Sequence, residues 1–183
     1  MDNFSLNIIE KCESTNDELI KLGKQGVHEG YSILSYQQTN GRGRKNKEWY
    51  SPKGNIYLST ILKPKNEKVH WGQISLISGL SVMETLVQMG LNQELIKIKW
   101  PNDILINYKK VCGILIESFD NFVVVGIGIN VNSHPKNIDG TIDCTDLNSF
   151  IGNKEHDLLE IAKLILKKLF LNYFSWSNNL LKP

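Results

Sequence analysis

The sequence predicts an α+β fold in which helices pack on a mixed, largely antiparallel sheet. Three observations lead to this class. Strand-like runs follow one another at hairpin distance, as "DILIN" and "KVCGILIES" do, with only "YK" between them. A few helical stripes are interleaved with these strands. The strand "GIGIN", residues 126–130, lacks the third glycine and the following helix of a dinucleotide-binding fingerprint, which argues against a doubly wound parallel sheet.

The N-terminal third predicts a strand, a helix and two further strands. "FSLNIIEK" alternates as a strand does. In "STNDELIKLGKQG", Thr15 and Glu18 have capping-box spacing, Leu19 and Leu22 share a face, and Gly26 is expected to end the helix. "YSILSYQ" and "NIYLSTIL" predict the next strands, with a basic segment between them.

The remaining chain predicts three helices and four strands. Helical spacing of Leu76, Leu80, Met83 and Val87 predicts a helix over about residues 72–89. The strands are "IKIKW", "DILIN", "KVCGILIES" and "FVVVGIGINV", and "TDLNSFIG" predicts a short helix. The last helix has the clearest apolar stripe, formed by Leu158, Ala162, Ile165, Leu169, Tyr173 and Trp176.

Length and charge limit the classes of protein. A chain of 183 residues suits one domain with a proper core, here 1–183. A formal net charge of +2 predicts no nucleic-acid partner from bulk charge, so that any bound anion must be held by a local cluster.

Targeting signals and cysteine usage indicate the compartment. The N-terminus has no basic region followed by a long apolar stretch, so no signal peptide is expected. No stretch approaches the roughly 18 apolar residues of a membrane span. The three cysteines are odd in number and widely spaced, which suits a reducing cytosol. A cytoplasmic protein without a membrane partner is predicted.

The basic segment "TNGRGRKNKEWYSPKGN", residues 39–55, has neither helical nor strand periodicity. It suits a solvated loop, a single-stranded nucleic-acid patch that uses its aromatic residues for stacking, or a phosphate-binding lid. Only the lid explains the alternation of glycine and arginine. Glycine lets the backbone wrap closely and keeps the loop mobile, while the guanidiniums of Arg42 and Arg44 grip phosphate oxygens.

Two further motifs each leave two interpretations open. In "KWPND", residues 99–103, Pro101 interrupts the strand, so the motif is either an Asn-Asp turn or a rigid corner that aims Lys99 or Asp103 into a cleft. In "KKVCGIL", residues 109–115, Lys110 is either a solvated strand end or a cation for a carboxylate or phosphate beside the gap at Gly113.

Together, in this order, these motifs resemble those of biotin–protein ligases. The matching stretches are "STN", "QTNGRGR", "KWPND", "KKVCGIL" and "GIGINV", which extend from residue 14 to residue 131. The resemblance implies a catalytic fold like that of class II aminoacyl-tRNA synthetases. It implies that biotin and ATP give biotinyl-5′-AMP and pyrophosphate, and that the biotinyl group then passes to one lysine of a carboxylase carrier domain.

The resemblance also implies the site residues. Residues 14–16 and 38 should contact the ureido end of biotin, and Trp49 should pack beside the adenine. The full biotin set is Ser14, Thr15, Asn16, Gln38, Gly41, Arg42, Lys110 and Gly113. The set for ATP and the adenylate is Arg42, Arg44, Trp49, Asn102, Lys110 and Asn130. The catalytic set is Lys110, Arg42 and Asp103.

Two of these residues receive chemical roles from the resemblance. Lys110 matches the lysine that reaches the biotin carboxylate and the α-phosphate, where a preorganised cation lowers the barrier between two anions. Asp103 is expected to assist the neutral carrier lysine. Mg²⁺ is expected to arrive with ATP as a substrate complex and to bridge phosphate oxygens, and no permanently bound metal is predicted.

The chain departs from the family pattern at both ends. "STN" begins at residue 14, so we expect no N-terminal helix-turn-helix domain and no DNA partner. The sequence ends at the last helix, so the C-terminal β-barrel domain of most bacterial members is expected to be absent. The carrier's identity and the oligomeric state, including a homodimer, are left open.

Three alternatives compete with this interpretation. A lipoate–protein ligase or octanoyltransferase of related fold would carry a "GGGAV"-type run, and nothing like it occurs here. A nucleic-acid module would show a steep salt dependence of affinity. A catalytically dead biotin-binding protein would not need Lys110 and both loop arginines.

Overall fold

The central sheet crosses the whole molecule. The structure, a computed structural model, describes residues 4–136, 143–152 and 156–180. Within these residues seven strands form one sheet in the order β1-β2-β3-β7-β6-β5-β4. The strands are β1 Ser5–Ile9, β2 Tyr31–Ser35, β3 Ile56–Leu62, β4 Ile96–Lys99, β5 Asp103–Ile106, β6 Lys109–Ser118 and β7 Val123–Ile129.

Helices connect and cover these strands. The described ranges contain four α-helices: α1 Thr15–Lys24, α2 Ile74–Gln88, α3 Asn148–Ile151 and α4 Leu158–Leu180. They also contain 3₁₀ turns at Arg44–Asn46, Lys68–Gln73 and Gln93–Leu95. The predicted elements are thus all present, including the short helix after residue 145.

The pairing of the strands confirms the predicted mixed sheet. Strands β1 and β2 run parallel because α1 crosses between them, and the other neighbours are antiparallel. The β5–β6 hairpin turns through Asn107 and Tyr108, whose φ values of 47° and 64° are those of a type I′ turn.

The main core lies on one face of the sheet, under α2 and α4. The predicted stripe of α4 is buried there, with Ala162, Ile165 and Leu169 all at 0% exposure. The opposite face carries α1 and a smaller apolar cluster around Leu19 and Val124. The rest of that second face, over β3, β7 and β6, is left for a pocket.

The helix predicted from Leu76, Leu80, Met83 and Val87 is present as α2, but the residues most deeply buried on it are different ones. Leu76 and Leu80 are 43% and 37% exposed, whereas Ser78, Ser81 and Thr85 are buried. The three hydroxyls donate to the carbonyls four residues earlier, at 2.7–2.8 Å, so their burial leaves no polar group unsatisfied. Small side chains then allow α4 to approach α2 closely.

The cap of α1 also differs from the prediction by one residue. The helix begins at Thr15, and the Oγ of Ser14 accepts from the backbone N–H of Asp17. Thr15 does not act as the cap because its hydroxyl lies 2.6 Å from the Ser59 hydroxyl in the sheet. Gly26 follows the helix end with φ of +88°, as expected of a residue that stops a helix.

Candidate active site

A pocket of about 1270 Å³ lies on the α1 face of the sheet. The start of α1, the basic segment, the 99–103 corner and strands β6 and β7 surround it. Twelve of the thirteen predicted site residues line it: Ser14, Thr15, Asn16, Gln38, Arg42, Arg44, Trp49, Asn102, Asp103, Lys110, Gly113 and Asn130. The remaining one, Gly41, is buried behind the wall, where a Cβ would collide with Ser51.

The pocket floor is a row of four residues that lie in register across the sheet. Tyr57, Gly128, Gly113 and Asp103 pair in turn across β3, β7, β6 and β5. The indole of Trp49 lies on the two glycines. A Cβ would come within 2.5 Å of the indole at Gly128 and within 2.7 Å at Gly113. Both glycines therefore provide a seat for the indole ring.

A neighbouring glycine provides a second seat. Gly126 is one row further along β7, and a Cβ there would collide with the amide of Asn16. Asn16 Oδ1 accepts from the Ser59 hydroxyl at 2.6 Å. The amide is thus pressed on the sheet and fixed at its carbonyl end.

Buried hydroxyls and amides form the polar end of the pocket. Gln38 Oε1 accepts from the backbone N–H of Thr15 at 2.8 Å. Gln38 Nε2 donates to the Ser51 hydroxyl, which donates to the carbonyl of Trp49. These partners fix the side chains that would bind a flat polar group.

Arg42, the first loop arginine, is held by two carboxylates. Its guanidinium makes four hydrogen bonds, two to Asp17 and two to Glu117, at 2.6–3.2 Å. The bonds to Glu117, ahead of those to Asp17, raise the pKa of Arg42 and outweigh the opposing effect of burial. Its charge is therefore matched inside the protein.

The basic segment forms a small hairpin rather than an irregular loop. The N–H of Trp49 donates to the carbonyl of Gly41 at 2.9 Å, and the N–H of Gly43 donates to that of Lys47 at 2.7 Å. Lys45 at the tip has φ of 55°. These two backbone hydrogen bonds close the hairpin, and its strands are too short to show strand periodicity in the sequence.

Arg44, the second arginine, is exposed and reaches across the pocket. Its Nη1 donates to Asn102 Oδ1 at 3.3 Å. Asn102 is fixed in turn, because its Nδ2 donates to the carbonyl of Ile114 at 2.9 Å. The 99–103 corner is therefore a rigid support on the far side of the pocket, and Lys99, its alternative functional residue, does not line the pocket.

Lys110 lies at the centre of the pocket. Its Nζ is 2.7 Å from Asp103 Oδ1 and 5.2 Å from the centroid of the Trp49 ring. A register shift between β5 and β6 places Val111 in the main core together with Cys112. This bulge brings Lys110 to the same face as Gly113, although strict alternation over three residues would separate them.

The other end of the pocket contains Asn130, His134 and Cys144. Asn130 Nδ2 donates to the carbonyl of Thr145. His134 Nδ1 lies 2.6 Å from Asp146. Burial by itself raises the pKa of Asp146, but the hydrogen bonds with His134 and Ser149 outweigh it and leave that pKa lowered.

Cys144 lines the same end of the pocket. Burial raises its pKa, and the charge of Lys110 opposes this only in part.

No group of three or more His, Cys, Asp or Glu side chains within the described ranges is arranged to hold a metal ion. Of the helices in those ranges, none is both long and apolar enough to cross a membrane.

Several residues of the site were not predicted from the sequence. Glu117 has the same strand parity as Gly113, four residues before it, and this signal could have placed both on the pocket face. The alternation of side chains along β7 and β3 could likewise have placed Gly128 and Ser59 on the pocket face. Nothing in the sequence shows that Asp17 faces Arg42, because that contact depends on how α1 lies on the sheet.

Comparison with known proteins identifies the family. Residues 8–133 match the model of the biotin/lipoate A/B protein ligase family. The biotin–[acetyl-CoA-carboxylase] ligase of Mycobacterium tuberculosis is 32% identical over 94% of this chain and 65% of its own length. The bifunctional ligase/repressor BirA of Bacillus subtilis is 35% identical over 88% of this chain and 52% of its own.

A solved structure gives the same result for the fold. The biotin protein ligase from Aquifex aeolicus, in complex with biotin and ATP, superposes with a TM-score of 0.82 at 32% identity, covering 95% of this chain and 72% of that one. The chain belongs to the biotin/lipoate A/B protein ligase family. It spans between about half and two thirds of the two curated relatives, at 52% and 65% of their lengths.

Proposed function

We propose that this protein is an ATP-dependent biotin–protein ligase. It would join biotin to ATP as biotinyl-5′-AMP and transfer the biotinyl group to one lysine of a carboxylase carrier domain. The observation that carries the proposal is a single pocket with a neutral, hydrogen-bonding end around Gln38 and a cationic centre at Lys110. Biotin has a neutral ureido ring at one end and a carboxylate at the other.

The polar end suits the ureido group of biotin. A flat group with two N–H donors and one carbonyl needs a few fixed polar partners within an enclosed site. Such partners are offered by Ser14, Thr15, Asn16 and Gln38. Hydrogen bonds to other side chains hold the polar groups of Thr15, Asn16 and Gln38 in place. The proposed biotin set keeps Gly41 for its backbone and Gly113 for the space that it leaves.

The cationic centre suits adenylate formation. A biotin carboxylate oxygen attacks the α-phosphorus of Mg-ATP, the bond from that phosphorus to the bridging oxygen breaks, and pyrophosphate leaves with the bonding electrons. Two anions meet in this step. Lys110, held between Asp103 and the indole face of Trp49, is a preorganised cation at that point. Arg44, which is exposed, would bind the outer phosphates.

The second step transfers the biotinyl group. The neutral amine of the carrier lysine attacks the carbonyl carbon of the mixed anhydride, and AMP leaves with the electrons of the broken C–O bond. We propose that Asp103, whose side chain is 16% exposed, accepts or shares the proton of that amine. The hairpin of the basic segment would exclude water from the anhydride.

The relatives support the substrates. The Mycobacterium tuberculosis protein is named as a biotin–[acetyl-CoA-carboxylase] ligase, and the Aquifex aeolicus protein holds biotin and ATP. The family description also includes lipoate, so a lipoate- or octanoyl-transferring enzyme is the alternative.

Biotin-dependent exchange of labelled pyrophosphate into ATP tests the proposal. We expect exchange with biotin and Mg²⁺ and none with lipoate or octanoate. Exchange with lipoate alone would make the alternative correct, and no exchange with any acid would refute adenylation altogether.

Four further features stay proposals. Residues 1–183 are proposed to act as one catalytic domain, in the cytoplasm because the reaction consumes ATP. Gel-shift titration with DNA tests the expected lack of a DNA partner, which has particular interest because the Bacillus subtilis relative is a ligase/repressor. Light scattering with and without biotin and ATP tests for a homodimer.

A further inference from the structure

We propose that Glu117 is a positioning residue, which sets the biotin end of the pocket and the fixed end of the basic hairpin at once. The proposal rests on the proposed function for its ligand. Glu117 lies near the end of β6 and does not line the pocket. It belongs to none of the motifs that carry the family resemblance.

Both carboxylate oxygens of Glu117 are occupied by protein donors. Oε1 accepts from Arg42 Nη1 at 3.0 Å, and Oε2 accepts from Arg42 Nη2 at 2.8 Å. Oε2 also accepts from Asn16 Nδ2 at 2.8 Å. One carboxylate therefore joins the first loop arginine to a side chain of the biotin end.

The amide of Asn16 is oriented by this contact. A carboxylate can only accept, so the contact with Glu117 fixes which end of the amide is the NH₂ group. The Ser59 hydroxyl, on the other side, donates to the carbonyl end at 2.6 Å. Without the carboxylate, only the Ser59 hydroxyl, which can donate or accept, would define the direction of the amide.

Hydrogen bonds continue from Asn16 to the far end of the basic hairpin. Each step joins one buried or half-buried polar residue to the next, and the last one reaches the backbone of the hairpin. The Ser59 hydroxyl donates to Asn16 and accepts from the Thr15 hydroxyl, and the backbone N–H of Thr15 donates to Gln38. Gln38 then donates to Ser51, which donates to the carbonyl of Trp49, and all these bonds are 2.6–3.1 Å long. Both ends of the hairpin are thus joined through the residues of the biotin end.

The contacts of Arg42 favour a structural role of this cluster over direct binding of phosphate. The single positive charge of Arg42 faces the two negative charges of Asp17 and Glu117. Four hydrogen bonds occupy its fork of donors. Arg42 is thus a clamp between the hairpin, α1 and β6, and Arg44 and Lys110 are left as cations for the anionic ligand.

The first test measures biotin affinity by titration calorimetry on the full chain. In Glu117→Gln, we expect biotin to bind at least about tenfold more weakly, since the amide would place a donor against Arg42 and Asn16. The matched control is Glu18→Gln. It makes the same chemical change on α1 and removes only the exposed ion pair between Glu18 and Lys21. The control should bind biotin as the wild type does.

The second test needs no ligand. Trypsin must take the side chain of Arg42 into its own pocket to cut after it. Cleavage after Arg42, relative to cleavage after Lys45 in the same hairpin, should rise at least about fivefold in Glu117→Gln because four hydrogen bonds fall to two or three. The ratio should stay at the wild-type value in Glu18→Gln.

The outcomes separate the inference from the function. If the wild type binds biotin and Glu117→Gln binds it equally well with an unchanged cleavage ratio, the positioning role is wrong and the function stands. If the wild type does not bind biotin, the function fails, and the cleavage ratio alone decides whether the clamp exists. Should Glu117→Gln not fold, Arg42→Lys keeps the charge but loses the fork, and both changes are expected there as well.

Discussion

The contact of the Trp49 indole with Gly128 can be tested by adding one methyl group at that glycine. In Gly128→Ala, the new Cβ would lie 2.5 Å from Trp49 Nε1 and 2.6 Å from Cε2. The indole must then retreat from the sheet by about 1 Å to regain ordinary contact. Retreat moves it into the space that the ligand would use.

The expected cost follows from overpacking. Forcing one methyl group into a well-packed place costs about 1–3 kcal/mol. Since about 1.4 kcal/mol changes an equilibrium constant tenfold, a non-hydrolysable biotinyl-adenylate analogue should bind about 5- to 140-fold more weakly to the variant. Titration calorimetry measures this affinity directly.

The matched control is Gly72→Ala, because a Cβ at Gly72 meets no atom within 4 Å. We expect the control to bind the analogue with wild-type affinity. If Gly128→Ala also binds it with wild-type affinity while folding normally, the indole does not form part of the ligand site, and the reasoning on the pocket floor is refuted.

Three other substitutions test Lys110, Arg44 and the contact between His134 and Asp146. Lys110→Ala should slow biotin-dependent pyrophosphate exchange at least about 100-fold while biotin still binds, because its charge acts where the two anions meet; unchanged exchange would remove it from the mechanism. Arg44→Gly should release biotinyl-5′-AMP faster, which biotinylation of bystander lysines reports, and an undiminished residence time would count against the hairpin as a lid. Asp146→Asn should lower the free energy of unfolding near pH 7 by about 1 kcal/mol. Because folding lowers the pKa of Asp146, this difference should vanish as the pH falls below about 4, and a constant difference in pH-dependent denaturation would contradict it.

Local patterns in the sequence predicted the elements of the fold well. Alternation and helical spacing are local properties, so the strands and α4 were recognised from neighbouring residues alone. The buried face of α2 was not recognised from the sequence. The hydroxyls of Ser78, Ser81 and Thr85 donate to carbonyls of the same helix, so this polar face can be buried without an unsatisfied donor. Hydropathy alone counts these residues as exposed.

The candidate site was predicted as a set but not as a geometry. Motif residues such as Lys110 and Asn102 line one pocket, as the resemblance implied. The bulge at Val111, which turns Lys110 to the pocket, depends on pairing between strands and has no local signal. The contacts of Glu117 and Asp17 with Arg42 join three distant elements, so only the packed fold reveals them.

The central claim is that one pocket activates biotin with ATP and passes it to a carrier lysine. The most direct measurement is the intact mass of a biotin carboxyl carrier domain after incubation with the protein, biotin and Mg-ATP. The account predicts a shift of one biotinyl group on a single lysine, which requires ATP and is lost in Lys110→Ala. An unmodified carrier, or a shift that appears only with lipoate or octanoate in place of biotin, would contradict it.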